Sequence, residues 1–172
     1  MNRLHLEAWR DFYVMIGTAS GVIVGATFIV ATLAGNMEKR ALGLKGFITP
    51  TAVHLGSVLI GSAILTVPTL TSIFLAALLG IGGAAGFIYS LVVWVRISAL
   101  NLDIPDRLWY AVLPVLSYAL LAVAAGLAFL NMAPCLELLA AALVSLLIVG
   151  MHNAWDMATF MVLRGGNDAD RP

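Results

Sequence analysis

Five apolar runs, each reaching the roughly 20 residues that cross about 30 Å of hydrocarbon, take up most of this chain. They lie near 12–34, 49–68, 72–96, 108–131 and 135–162. Lipid offers no hydrogen bonds, so runs of this kind cross it only with the backbone bonded internally, as helices. The remaining polarity is too small for any other arrangement. Of 172 residues, 62% are hydrophobic and 10% charged, against about 25% charged in a soluble domain. Mean hydropathy is +1.02. The expected fold is therefore all-α: a polytopic bundle of five transmembrane helices forming one integral-membrane domain over residues 1–172.

Local chemistry marks the ends of the runs. Residues 49–96 are too long for one crossing, and the "TVPTLTS" stretch at 66–72 supplies a turn around Pro68. Thr49-Pro50 and Ala133-Pro134 place proline near a first helical turn, and Asp106 is an expected N-cap after Pro105. Pro114 lies inside the fourth run, where it frees the Tyr110 carbonyl and predicts a kink. The opening MNRLHLEAWRDF lacks the basic n-region and small-residue cleavage site of a signal peptide, so the first run is expected to persist.

With five spans, one side of the membrane carries only Arg3 and Arg10. The other carries Lys39, Arg40, Lys45, Arg96, Arg107, Arg164 and Arg171. The positive-inside rule then predicts N-terminus out and C-terminus in, at a cell inner membrane. Trp94, Trp109, Tyr110 and Trp155 fall near the cytoplasmic boundary as an aromatic belt, with Trp9 and Tyr13 at the opposite one. The formal net charge is zero, which leaves no electrostatic footprint for nucleic acid. The expected partners are membrane lipid and further copies of the chain. The single cysteine, Cys135, excludes an internal disulfide and a CxxC metal motif.

Small residues predict how the helices touch. Gly17, Gly21 and Gly25 form a GxxxGxxxG run in the first span, and Gly82 and Gly86 repeat the spacing in the third. In lipid, close backbone approach and dispersion replace the hydrophobic force between helices. The contacts so made serve either the bundle itself or a homo-oligomer.

Function is sought among polar residues inside the apolar runs. On a helix, Ser145, His152, Asp156 and Thr159 fall within about 60° of one another, with Asn153 a quarter turn away. Counted inward from Arg164, Asp156 lies about 12 Å deep and His152 about 18 Å. A charge at mid-membrane costs about 2.5–3.5 kcal/mol on insertion scales, so the stripe is expected to face the bundle or a water-filled cavity. His54 enters the second span to a similar depth, about 8 Å, and is expected in the same layer. Three readings compete for these residues. The first is a structural tie that holds helices in register. The second is a polar path for a proton, an ion or a small solute, with Asp156 as carrier, His152 as titratable partner and His54 facing them. Thr159, Ser145 and Asn153 would line that path.

The third reading is a haem or metal site on His54 and His152, the minority one, so no cofactor is expected. No intramembrane HExxH or GxSxG is present, which argues against a hydrolase. Outside the membrane, Glu7 and Asp11 share a helix face and form either an interfacial turn or a cation-attracting mouth. The glycine-rich first span and the His-Asn-Ala-Trp-Asp stretch of the last resemble small bacterial inner-membrane proteins in style, a resemblance that carries no activity. The working expectation is a channel or transporter, and the alternative is a non-catalytic scaffold or accessory subunit.

Overall fold

The computed structural model describes residues 6–35, 41–68, 71–98, 103–132 and 134–169, with side chains described except at 33–35, 41–47 and 161–169. Arg3, Lys39, Arg40 and Arg171, and the side chains of Lys45 and Arg164, therefore lie outside the described residues. Five long helices follow one another: α1 (Leu6–Gly35), α2 (Ala41–Leu65), α3 (Ser72–Ser98), α4 (Ile104–Phe129) and α5 (Cys135–Ala169). Each carries a stretch long and apolar enough to cross a membrane. The protein is an all-helical, multi-pass membrane bundle.

The boundaries differ from expectation where helix formers extend past the apolar run. Helix α1 starts at Leu6 rather than near residue 12, so Glu7 and Asp11 lie on its first two turns. Tyr13 consequently sits two turns in, fully buried, and its hydroxyl donates to the Leu136 carbonyl of α5 at 3.0 Å. It ties α1 to α5, and its ring stays beside that of Trp9, with centroids 6.1 Å apart. Helix α2 starts at Ala41, which places Pro50 inside the helix and not in its first turn. The N-cap of α4 is Asp103, and Asp106 lies within the first turn beside Pro105.

The predicted turn at 66–72 is present. Thr66 and Val67 close the end of α2 with backbone bonds to Ser62, Ala63 and Ile64, and the Thr71 hydroxyl accepts the Phe74 amide at the start of α3. Between α4 and α5, Asn131 adopts a positive φ of 54°. The Met132 amide bonds the Leu127 carbonyl and the Asn131 amide bonds that of Ala128, a Schellman closure. The irregularity expected at Pro114 takes the form of a π-helical turn at Leu108–Val112, where the Leu113 amide reaches back to the Leu108 carbonyl.

Helix α5 is the centre of the bundle, with half of its apolar span buried, and packs against α4, α2 and α1. Helices α1 and α3 flank the assembly, α1 against α2 and α3 against α4. The inward stripe of α5 runs through Leu139, Leu143, Leu146, Val149, Gly150, Asn153 and Met157. Glycine sets three of the close approaches. A Cβ at Gly17 would stand 2.8 Å from the Ser62 Cβ, one at Gly150 would stand 2.5 Å from a Leu55 methyl, and one at Gly86 would enter the Tyr118 ring. The expected Gly82–Gly86 pairing is instead Gly83–Gly86, because the buried stripe of α3 passes through Leu79, Gly83, Gly86 and Ser90. A Cβ at Gly21 would make only ordinary contact with Leu59, while one at Gly25 or Gly82 would meet nothing outside its own helix within 4 Å.

Candidate functional site

Polar side chains enter the bundle in two places. The first lies between α2 and α4. His54 is almost completely buried on α2, about 9 Å from the start of that apolar span at Ile48. Its Nδ1 lies 3.2 Å from the Tyr118 hydroxyl of α4, which is also 2.8 Å from the Ser57 hydroxyl. Ser57 in turn donates to the Val53 carbonyl at 2.8 Å. A serine has one hydroxyl proton, so Tyr118 is the donor to Ser57, and His54 Nδ1–H the donor to Tyr118. The three side chains form a one-way chain of hydrogen bonds ending on helix backbone. Glycine at position 86 of α3 makes room for the tyrosine ring.

The second place is the end of α5. His152 Nε2 lies 3.2 Å from Asp156 Oδ2, across one helical turn. The imidazole stacks on the Trp109 ring of α4, with centroids 3.9 Å apart and planes at 23°. The π-helical turn carries Trp109 into this position. Contrary to expectation, the pair does not face inward: its side chains retain 34% and 40% of their surface, at the edge of the α4–α5 seam. Measured from Phe160, where the described apolar span ends, Asp156 is about 6 Å in and His152 about 12 Å. Thr159 turns its hydroxyl onto the Trp155 and Asp156 carbonyls of its own helix, and Ser145 is half-buried.

Asn153 occupies the inward face that the stripe does not. It is 0% exposed, and neither its Oδ1 nor its Nδ2 has a hydrogen-bond partner. It lies one turn beyond the Gly150–Leu55 contact on the same helix. Counting from Phe160 it is about 10 Å deep, level with His54.

The structure thus joins His152 to Asp156 and leaves His54 with other partners. Among the described residues no hydrogen bond or ion pair links His54 to His152 or Asp156, and the two imidazoles belong to separate clusters. Among the same residues, no group of three or more His, Cys, Asp or Glu is arranged to hold a metal ion. Glu7, Asp11 and Glu137 are exposed at the opposite end of the bundle. Tyr118 and Trp109 were not singled out from sequence as site residues. A tyrosine in the middle of the apolar "LSYALLAV" run was the available signal, since a phenol buried in hydrocarbon requires a partner.

The class these features define is an integral membrane protein of five helices, whose buried polar side chains, among the described residues, include no Asp, Glu, Lys or Arg. No family model, curated protein or solved structure matches the chain.

Proposed function

We propose that this protein carries a small polar solute or ion across a cell inner membrane, with the polar groups of α5 and α2 as its path. The observation that supports this reading is the amide of Asn153. An amide without a partner costs about 1–3 kcal/mol in protein interiors, and hydrocarbon supplies no alternative bond. A helix that served only for packing would gain stability from leucine at this position. Keeping the amide is explicable if something that crosses the membrane uses it. His152 and Asp156 stand at the end of the same helix, where a solute would meet them first.

The excess of Lys and Arg near one end supports placing that end, with Arg96 and Arg107, in the cytoplasm. Gly25 and Gly82, open on the outer surface of the bundle, support self-association in lipid.

One observation favours a second reading, a non-catalytic scaffold. The His152–Asp156 pair is satisfied within its own helix and stacked on Trp109, as a fastening between α4 and α5 would be. Proteoliposome flux distinguishes the two. With gradients of H⁺, K⁺, Na⁺, Cl⁻ and small neutral solutes, a transporter gives flux that Asn153→Leu removes while the assembly stays intact by light scattering. A scaffold gives none with either protein.

A further inference from the structure

Taking the transport reading as given, we propose that the solute is uncharged, and that the Asn153 amide holds it between α2 and α5 in a carrier that opens there. The distribution of charge leads to this. Among the described residues the buried polar side chains are Ser20, Thr27, Thr51, His54, Ser62, Ser90, Ser117 and Asn153, and none of these is a carboxylate, ammonium or guanidinium. Every described Asp, Glu and Arg side chain is at least partly exposed. An ion stripped of water needs opposite charge or a ring of free carbonyls, because an uncompensated charge in an apolar medium costs tens of kcal/mol. Most carbonyls here are engaged in helices, and the two that accept a buried side chain from another helix, those of Leu55 and Leu136, already take the Ser20 and Tyr13 hydroxyls at 2.7 and 3.0 Å. The interior is built for a neutral guest.

The amide narrows that guest further. Its Oδ1 accepts and its Nδ2 donates, side by side, and both are uncommitted. The complementary molecule presents a donor and an acceptor on neighbouring atoms, as a primary amide or urea does. Asn153 is completely covered in this conformation, and one turn away Leu55 closes on Gly150. A guest reaches the amide only when α2 and α5 part at that contact. Such a device takes up its solute saturably, whereas an open pore does not.

The test is stopped-flow light scattering on proteoliposomes given inward gradients of urea, formamide or glycerol, beside K⁺, Cl⁻ and H⁺ flux on the same vesicles. The variants are Asn153→Leu, Asn153→Thr, Asp156→Asn and, as an outward-facing control, Gly126→Ala, where an added Cβ would meet nothing within 4 Å. The expected result is saturable urea and formamide entry about tenfold above empty liposomes. Asn153→Leu returns it to background, Asn153→Thr gives an intermediate rate, and Gly126→Ala leaves it unchanged. Asn153→Leu also melts higher than the parent, so its loss of entry cannot be ascribed to misfolding. Ion flux without neutral entry overturns the proposal and leaves the transport reading standing. Neutral entry that Asn153→Leu spares, or that only Asp156→Asn removes, overturns the assignment to Asn153. No flux of any solute overturns both readings together.

Discussion

The Tyr118 hydroxyl bridges His54 and Ser57 from a ring that stands over Gly86. One side chain thereby couples three helices: α4, which carries it, α2, which bonds its oxygen, and α3, which gives way to its ring. Polar satisfaction and close packing meet in the same residue, and each can be perturbed separately.

Gly86→Ala places a methyl inside the Tyr118 ring and is expected to destabilise the bundle by about 2 kcal/mol or more. Gly82→Ala, one turn away with no neighbour within 4 Å, should change stability by less than about 0.5 kcal/mol. Thermal unfolding of the two variants in the same detergent checks the contrast. Equal effects would mean that the α3–α4 approach is not set at Gly86.

Tyr118→Phe keeps the ring and removes the bridge. His54 then loses a buried acceptor and Ser57 a donor, at a cost of about 1 kcal/mol. The cleaner readout is the ¹⁵N shift of His54 Nδ1, which should move in Tyr118→Phe and stay in place in Tyr13→Phe, whose hydroxyl bonds the Leu136 carbonyl instead.

Leu55 and Gly150 form a contact whose energetics reverse on double substitution. Gly150→Ala alone meets the Leu55 methyl at 2.5 Å and is expected to cost about 1–3 kcal/mol. In a Leu55→Ala background the added methyl fills space that the leucine vacated. The double-mutant cycle should therefore show favourable coupling of about 1 kcal/mol or more. Additive costs would place the α2–α5 crossing elsewhere.

Asn153→Leu is the substitution for which stability and function are expected to part. Removing a buried amide that bonds nothing should stabilise the fold by about 1–3 kcal/mol, while solute entry disappears. A melting temperature below that of the parent would show that the amide serves the fold.

His152→Ala removes the ring stacked on Trp109 and should alter tryptophan emission. In a Trp109→Phe background the same substitution should leave emission unchanged. Persistence of the change would mean that the indole responding is Trp94 or Trp155, both of which are exposed.

The five spans were legible in the sequence because length and apolarity decide them, and the turn at 66–72 because Pro68 lies where one crossing must end. The i,i+4 pairing of His152 with Asp156 was legible for a similar reason, being a property of one helix alone. Whatever depends on rotation between helices was not. Helical spacing puts His152, Asp156 and Asn153 within a few residues of each other, yet only the packing of α5 on α2 decides that Asn153 faces inward while the charged pair stays at the seam. The link from His54 to Tyr118 joins residues 64 apart in sequence and leaves no periodic trace. Gly83 rather than Gly82 was likewise unpredictable from spacing, since either completes a small-residue pattern with Gly86.

The π-helical turn at Leu108–Val112 acts as a phase shift. One extra residue in a turn advances everything upstream of it by about 100° of azimuth relative to a continuous α-helix. Helix α4 thus presents one sector to α5 near Trp109 and another to α2 and α3 near Tyr118. Deleting a single residue within the turn would swing the indole off His152 and leave the phenol with His54. The two ends of one helix are in this sense separately adjustable dials, set by the count of residues between them.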